Sequence, residues 1–185
     1  WLDIETTGLN PRTDQLLEAA WTFTDLGGNP IHPDASRHVI VAYDQFDFSS
    51  IPQVVRDMHS RNGLWMDCLG VATIDHAAAV PNAITAWSTL TEHASHVPDE
   101  TAIHLAGAGV SHMETHWIDA HAHTLADRLH YRTLDTSIIA MAADFAGHPL
   151  TRPESTHRAR NDVDDAIAIY RQTLTRLRLT PKDTL

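Results

Sequence analysis

The chain has 185 residues, of which 43% are hydrophobic and 20% are charged. These proportions are typical of a globular protein, and we expect a single domain spanning residues 1–185. The formal net charge of −11 argues against a protein that binds long nucleic acid through a broad basic surface. Cys68 is the only cysteine, which excludes an internal disulfide and favours the reducing cytoplasm. No stretch is long and apolar enough to cross a bilayer.

The first three predicted elements are strands joined by short turns. Residues 1–5, 16–26 and 38–42 are rich in apolar and β-branched side chains, and turn residues such as Gly27 and Gly28 separate them. Consecutive strands joined by tight turns pair in opposite directions, so this part of the sequence predicts an antiparallel meander.

The remaining sequence alternates between helical periodicity and short apolar strands. Such an order predicts an α/β protein with a ribonuclease H-like, five-stranded mixed sheet, in which the antiparallel meander is followed by parallel strands and helices flank the sheet. The predicted helices are 51–59, 83–96, 111–129, 137–145 and 161–178, and the predicted strands are 101–105 and 131–134.

Asp3 and Glu5 are the most informative pair of residues in the first strand. Side chains alternate across a strand, so these two carboxylates project from the same face. Burying two like charges side by side is unfavourable unless a cation lies between them. Mg²⁺ and Mn²⁺ prefer carboxylate oxygens, so the pair predicts a divalent metal site. The alternative is an edge strand whose acids face water.

A second acidic position follows the glycine-rich turn at Gly107 and Gly109. Glu114 lies in the predicted first turn of the next helix, three residues after Ser111. It is either a further metal ligand or the second half of a capping box with Ser111, and the spacing fits both interpretations equally.

The third pattern lies before the last helix, where His157 is followed five residues later by Asp162. A histidine on such a loop can take a proton from water while the carboxylate holds metal. Acidic residues are also common in first helical turns because they complement the helix dipole, and Asp164 and Asp165 fit that simpler explanation.

Together these segments resemble the DEDDh 3′-to-5′ exonuclease superfamily and, within it, the oligoribonuclease family. Residues 3–9 match the family's first motif, and Glu18 lies on the second strand where the family has a glutamate. Residues 59–64 resemble its His-x-x-Ser-Gly-Leu segment, and residues 131–137 closely match its Tyr-Arg-x-Leu-Asp-Val-Ser run.

The resemblance implies hydrolysis of short single-stranded RNA from its 3′ end to nucleoside 5′-monophosphates. Two Mg²⁺ or Mn²⁺ ions about 4 Å apart would be held by four carboxylates, with His157 as general base. Leu9 would wedge against the 3′ base, and Tyr131, Arg132 and Ser137 would meet the 5′ phosphate across a homodimer interface. The implied metal ligands are Asp3, Glu5, Glu114 and Asp162, and the implied substrate contacts are Thr6, Gly8, Leu9, His59, Ser111, His112, Tyr131, Arg132 and Ser137.

Two positions depart from the family pattern. The family has aspartate where this chain has Glu114, whose longer side chain would shift a bound metal. A tryptophan that packs a substrate base is replaced near Val54. Two other functions compete with RNA hydrolysis, namely a proofreading-type exonuclease acting on single-stranded DNA and a non-catalytic oligonucleotide-binding protein. The Tyr-Arg-x-Leu-Asp run disfavours the first, and the retained acidic motifs disfavour the second.

Overall fold

The computed structural model describes residues 1–70 and 78–177, and a four-stranded sheet forms its centre. The strands lie in chain order, with β1 (Leu2–Thr6), β2 (Leu16–Thr22), β3 (Ser36–Val41) and β4 (Ala78–Val80) side by side. The first three strands pair antiparallel, which confirms the predicted meander, whereas β4 runs parallel to β3.

A second sheet consists of two parallel strands, β5 (Ala106–Gly107) and β6 (Leu134–Asp135). β5 lies against β1, because a Cβ atom at Gly107 would stand only 2.6 Å from the Leu2 carbonyl oxygen. Only glycine therefore permits this approach.

The predicted α/β class with a mixed sheet and flanking helices is confirmed, but the single sheet of five strands is wrong. The described residues contain a four-stranded and a two-stranded sheet. β4 has only three residues, too few for a periodic signal. β5 and β6 have two residues each and begin later than the predicted strands 101–105 and 131–134.

Seven helices pack around the sheets in the described part of the chain. The predicted helix 111–129 is wrong in its extent, because residues 111–113 form turns and Ala122, with φ −136° and ψ 53°, ends one helix before another begins. Residue 178 of the predicted last helix lies outside the described residues. The helices are α1 (Gln53–Arg61), α2 (Leu64–Cys68), α3 (Ala83–Ala94), α4 (Glu114–His121), α5 (His123–Ala126), α6 (Thr136–Phe145) and α7 (Ala159–Arg176).

The two faces of β1 have different environments. Leu2 and Ile4 join the main hydrophobic core, which includes Trp87 of α3 and Trp117 of α4. On β2, Ala20 lies opposite Asp3 and packs with residues of α7 in a separate cluster. The acidic face of β1 therefore lies toward α7.

None of the described helices has the length and apolar character needed to cross a membrane.

Candidate active site

The five predicted catalytic residues line one open pocket of about 630 Å³. Alternation along β1 directs two carboxylates toward it, and the first turns of α4 and α7 supply one carboxylate each. The histidine comes from the loop immediately before α7. These residues are Asp3, Glu5, Glu114, His157 and Asp162.

The pocket carboxylates are shifted toward their protonated forms. Burial raises the pKa of Glu5 to about 8, and the charges of Glu18 and Asp162 add to this effect. Burial also raises the pKa of Asp3 well above its usual range, with further contributions from Glu114 and Glu5. Among the described residues, Arg158 lowers the pKa of Glu5 but does not offset the effects of burial and of the neighbouring acids. A bound cation would supply the missing positive charge.

The donor set of the pocket fits a hard divalent cation. Glu114 is buried, and burial raises its pKa to about 7. Its Oε2 atom is enclosed and has no hydrogen-bond partner among the described residues. Ligand atoms of Glu5, His157 and Asp162 all lie within 4.8 Å of one another. Clustered carboxylate oxygens of this kind suit Mg²⁺ or Mn²⁺.

The capping-box interpretation of Glu114 is wrong. α4 has Met113 at its N-cap position and no side-chain cap. Ser111 instead donates a hydrogen bond from Oγ to Oδ2 of Asp135 over 2.9 Å. The turn at residues 111–113 delays the start of the helix, so Ser111 stands away from the helix end that it was expected to cap.

The loop before α7 brings His157 to the mouth of the pocket. Ser155 accepts a hydrogen bond from the His157 amide at 3.1 Å and donates its own proton to the Asp162 carboxylate at 3.1–3.2 Å. Burial raises the pKa of Asp162, while the Ser155 hydrogen bond and His157 lower it. The serine thus links the candidate base to a candidate metal ligand.

The turn after β1 supplies Leu9, which lines the pocket with its side chain 73% exposed. Thr6 donates from Oγ1 to the Gly8 carbonyl at 2.6 Å. A Cβ atom at Gly8 would overlap the Asp14 carboxylate, which itself accepts a hydrogen bond from Asn10. Thr6 and Gly8 therefore shape the turn that presents Leu9.

Val54 lines another part of the same pocket and is 71% exposed. The wall around it is aliphatic, because its neighbours on the pocket surface include Pro52, Val55 and Met58. A base that entered here would contact aliphatic side chains and not an aromatic ring.

His59 is completely buried behind the pocket. Its Nε2 atom lies 3.7 Å from Oε2 of Glu5 and 3.3 Å from the Thr6 carbonyl oxygen. Burial lowers the pKa of His59, which favours the neutral ring. The imidazole therefore contacts the back of β1 and not the open space of the pocket.

The other predicted substrate contacts lie outside this pocket. Ser111 and Ser137 both donate hydrogen bonds to Asp135, the latter from Oγ at 2.6 Å. The Arg132 guanidinium lies 5.1 Å from the ring centre of Tyr131, which is exposed. His112 is also exposed, on the turn before α4.

Sequence reasoning missed a buried ion-pair network beside the site. Arg158 donates from Nε and a terminal nitrogen to both oxygens of Glu18 at 3.1–3.2 Å, and it reaches Asp67 at 2.7 Å. Glu18 also accepts a hydrogen bond from the Ala159 amide and lies 2.6 Å from Nε2 of His38. The only local sign of this network in the sequence was that Arg158 directly follows His157, the candidate base.

Solved structures with similar folds include those of Pop2p and ExoI. Pop2p of S. pombe, in a form that contains Mg²⁺ and Mn²⁺, aligns with a TM-score of 0.59 and 12% identity over 95% of this chain and 82% of Pop2p. The zinc-bound form of an E. coli ExoI–ssDNA complex aligns with a TM-score of 0.58 and 17% identity over 95% of this chain. This chain spans only 40% of the ExoI chain.

Curated relatives are more similar in sequence. An oligoribonuclease of Mycobacterium leprae (strain TN) is 30% identical over 183 residues, and one of Mycobacterium sp. (strain KMS) is 33% identical over 180 residues. Each alignment covers 94% of this chain and 79% of the relative. No family model matches the chain.

The fold is ribonuclease H-like, as it is in these solved structures, and the acidic pocket lies along one face of its first strand. The sequence matches to the curated relatives identify the family within this fold class. The chain belongs to the oligoribonuclease family.

Proposed function

We propose that this protein is a divalent-metal-dependent exonuclease that hydrolyses short single-stranded RNA from its 3′ end and releases nucleoside 5′-monophosphates. The observation that carries the proposal is the pocket in which Asp3, Glu5, Glu114, Asp162 and His157 converge. Membership of the oligoribonuclease family supports RNA as the substrate. The lone cysteine, Cys68, is buried and fits an expected location in the cytoplasm.

Asp3, Glu5, Glu114 and Asp162 would hold the metal, and we infer two ions from the number of carboxylates and from the resemblance stated above. Bound Mg²⁺ or Mn²⁺ would supply the positive charge that stabilises the attacking and leaving oxygens of phosphodiester hydrolysis. The raised pKa values and the unpartnered Oε2 atom of Glu114 support this ligand set.

His157 would act as the general base. Its side chain is exposed at the mouth of the pocket, and one ring nitrogen lies within 4.8 Å of a carboxylate oxygen of Glu5 and of one of Asp162. The ring could therefore reach a water molecule between these groups. A histidine with one free ring nitrogen accepts a proton from water near neutral pH. The hydrogen bond from its amide to Ser155 limits the movement of the loop that carries it.

Leu9 and Val54 would hold the terminal nucleotide, with Leu9 packing against its base. Both side chains are exposed on the pocket surface, where burial by a base would remove apolar area from water. Base stacking on an aromatic ring contributes about 1–3 kcal/mol, so an aliphatic wall at Val54 would bind bases less tightly and with less discrimination.

The protein would act as a homodimer whose partner completes the site for the 5′ end of the RNA. One face of α6 supports this proposal, because Ile138, Met141 and Phe145 are spaced at helical intervals and are all exposed, Phe145 to 84%. Tyr131, Arg132 and Ser137 lie just before or at the start of the same helix and would meet the 5′ phosphate.

The decisive experiment is digestion of matched RNA and DNA oligomers, from two to twenty nucleotides long, with Mg²⁺ or Mn²⁺. We expect 5′-monophosphates to be released from short RNA and activity to fall with length. Preference for single-stranded DNA would favour the alternative of a DNA-directed exonuclease, which the fold of the ExoI–ssDNA complex makes worth testing. Tight binding without hydrolysis would favour a non-catalytic relative.

A further inference from the structure

His157 has an unusual backbone conformation. Among the described residues, it is the only one other than glycine with a positive φ, which is 51°. Left-handed backbone is unfavourable for residues with a Cβ atom, and it persists where surrounding contacts impose it. The contacts that hold this loop therefore determine where the imidazole points.

Asn62 makes the contact that reaches His157 directly from another element. Its Nδ2 group donates to the His157 carbonyl oxygen at 2.5 Å and lies 3.4 Å from the Thr156 carbonyl oxygen. These oxygens are more than ninety positions away along the chain, so the bond joins the end of α1 to the entry of α7.

Asn62 is itself firmly placed. It follows α1 as the C-cap residue, where its amide bonds back to the Met58 carbonyl. Its Oδ1 atom accepts a hydrogen bond from the Leu64 amide at the start of α2. Its own carbonyl oxygen accepts a hydrogen bond from Arg158 at 3.2 Å. From this position between two helices, the Asn62 side chain faces the carbonyl oxygens of Thr156 and His157, which lie on either side of the His157 Cα atom.

We propose that Asn62 is a positioning residue for His157, holding the left-handed turn that directs the imidazole toward Glu5 and Asp162. The proposal rests on the general-base function given above. Asn62 lies outside the set of residues that line the pocket, so it would act through His157 and not on the substrate or metal.

The test is a double-mutant cycle with a short 5′-phosphorylated RNA and Mn²⁺. Asn62→Ala should lower kcat about 10- to 100-fold, the scale expected for a displaced catalytic group, and should change KM by less than about twofold. In a His157→Ala background the same substitution should have almost no further effect, because its only route to the reaction is already gone.

Two further variants sharpen the test. Asn62→Asp keeps the oxygen that receives the Leu64 amide but removes the donor that faces His157, so it should lose as much kcat as Asn62→Ala. Asn161→Ala is the matched control, because Asn161 bonds the side chain and not the backbone of Thr156 at 2.9 Å. Its kcat should stay within about twofold of the wild type, since no peptide group of the turn is released.

The outcomes separate this inference from the proposed function. An inactive wild type would reject the function itself. An active wild type that depends on His157 but tolerates Asn62→Ala would overturn the positioning role alone. Three other results would also overturn the positioning role and assign Asn62 a purely structural one. They are loss of folding in Asn62→Ala, a rise in KM as large as the fall in kcat, and a full additional loss of kcat in the His157→Ala background.

Discussion

Glu5 and Glu18 face each other across β1 and β2, yet their charges have opposite fates. Burial alone would raise the pKa of Glu18, but hydrogen bonds from His38 and Arg158 outweigh it and hold the pKa below its usual value. Burial raises the pKa of Glu5 to about 8, with the nearby negative charge of Glu18 as the next contribution. The charge of Glu18 is thus stabilised by protein partners, whereas the charge of Glu5 is not, which agrees with the proposed role of Glu5 as a metal ligand.

The first prediction concerns the stability of the metal-free protein. The pKa of Glu5 is about 8 in the folded state, whereas a glutamate in the unfolded chain has its ordinary value of 4.5. Between these values the folded state holds a proton that the unfolded chain has released, so the free energy of unfolding must fall as pH rises. We expect the thermal midpoint in excess chelator to decrease from about pH 4.5 to about pH 8, and Glu5→Gln to flatten the decrease.

This comparison isolates the carboxylate from buried histidines such as His59, whose lowered pKa acts in the opposite direction. Adding Mn²⁺ at the upper end of the range should restore the midpoint of the wild type, because the proposed site exists only in the folded chain. An unchanged slope in Glu5→Gln would contradict the assignment of the high pKa to Glu5.

The second prediction compares two arginines of the same region. Arg158→Ala leaves the carboxylate of Glu18 fully buried with only His38 and a backbone amide, so we expect a loss of about 3–5 kcal/mol in the free energy of unfolding. Arg160→Ala removes an exposed pair with Asp164 and should lose less than about 1 kcal/mol. Denaturant titration measures both, and equal losses would refute the special role of the buried pair.

Sequence periodicity predicted the acidic face of β1 because alternation is a local property. It could not decide the role of Glu114, since the capping-box spacing fits and only the hydrogen bond from Ser111 to Asp135 excludes it. Nor could it find the contact between Arg158 and Glu18, which are 140 positions apart. The network beside the site depends on tertiary contacts that leave no periodic signal.

The third prediction tests His157 as the general base. His157→Ala should reduce turnover about 10²- to 10⁴-fold at neutral pH, the usual range for loss of such a group. Substrate affinity should be nearly unchanged, because the four carboxylates proposed as metal ligands remain. Single-turnover kinetics with bound RNA measure this directly. A collapse of affinity with normal turnover of bound substrate would make His157 a binding residue.

The fourth prediction concerns recognition of the 5′ end. Arg132→Ala should weaken binding of short RNAs that carry a 5′ phosphate and hardly affect those without it. A guanidinium bonded to phosphate contributes about 1.5–3 kcal/mol, which corresponds to roughly a 10- to 150-fold change in Kd. Titration with matched oligomers, with and without the phosphate, measures the difference. Equal losses on both would indicate that Arg132 serves only its contact with Tyr131.

The last prediction concerns Glu114, one of the two positions at which this chain departs from the family pattern. Its carboxylate is buried in the pocket, and within the described part of the chain one of its oxygens has no hydrogen-bond partner. The N-terminus of α4 has no side-chain cap. Glu114→Gln keeps the length of the side chain but removes its charge, so it should nearly abolish both turnover and Mn²⁺ binding measured by calorimetry. Glu114→Asp should keep activity or raise it, because the shorter carboxylate matches the family pattern.

The choice of metal should follow from the same side chain. Mg²⁺ demands near-ideal octahedral geometry, and the longer side chain of Glu114 would place its carboxylate away from the position that an aspartate carboxylate would take. The wild type should therefore be more active with Mn²⁺ than with Mg²⁺, and Glu114→Asp should narrow the difference. A fully active Glu114→Gln that binds Mn²⁺ normally would show that the site operates with three carboxylates, Asp3, Glu5 and Asp162.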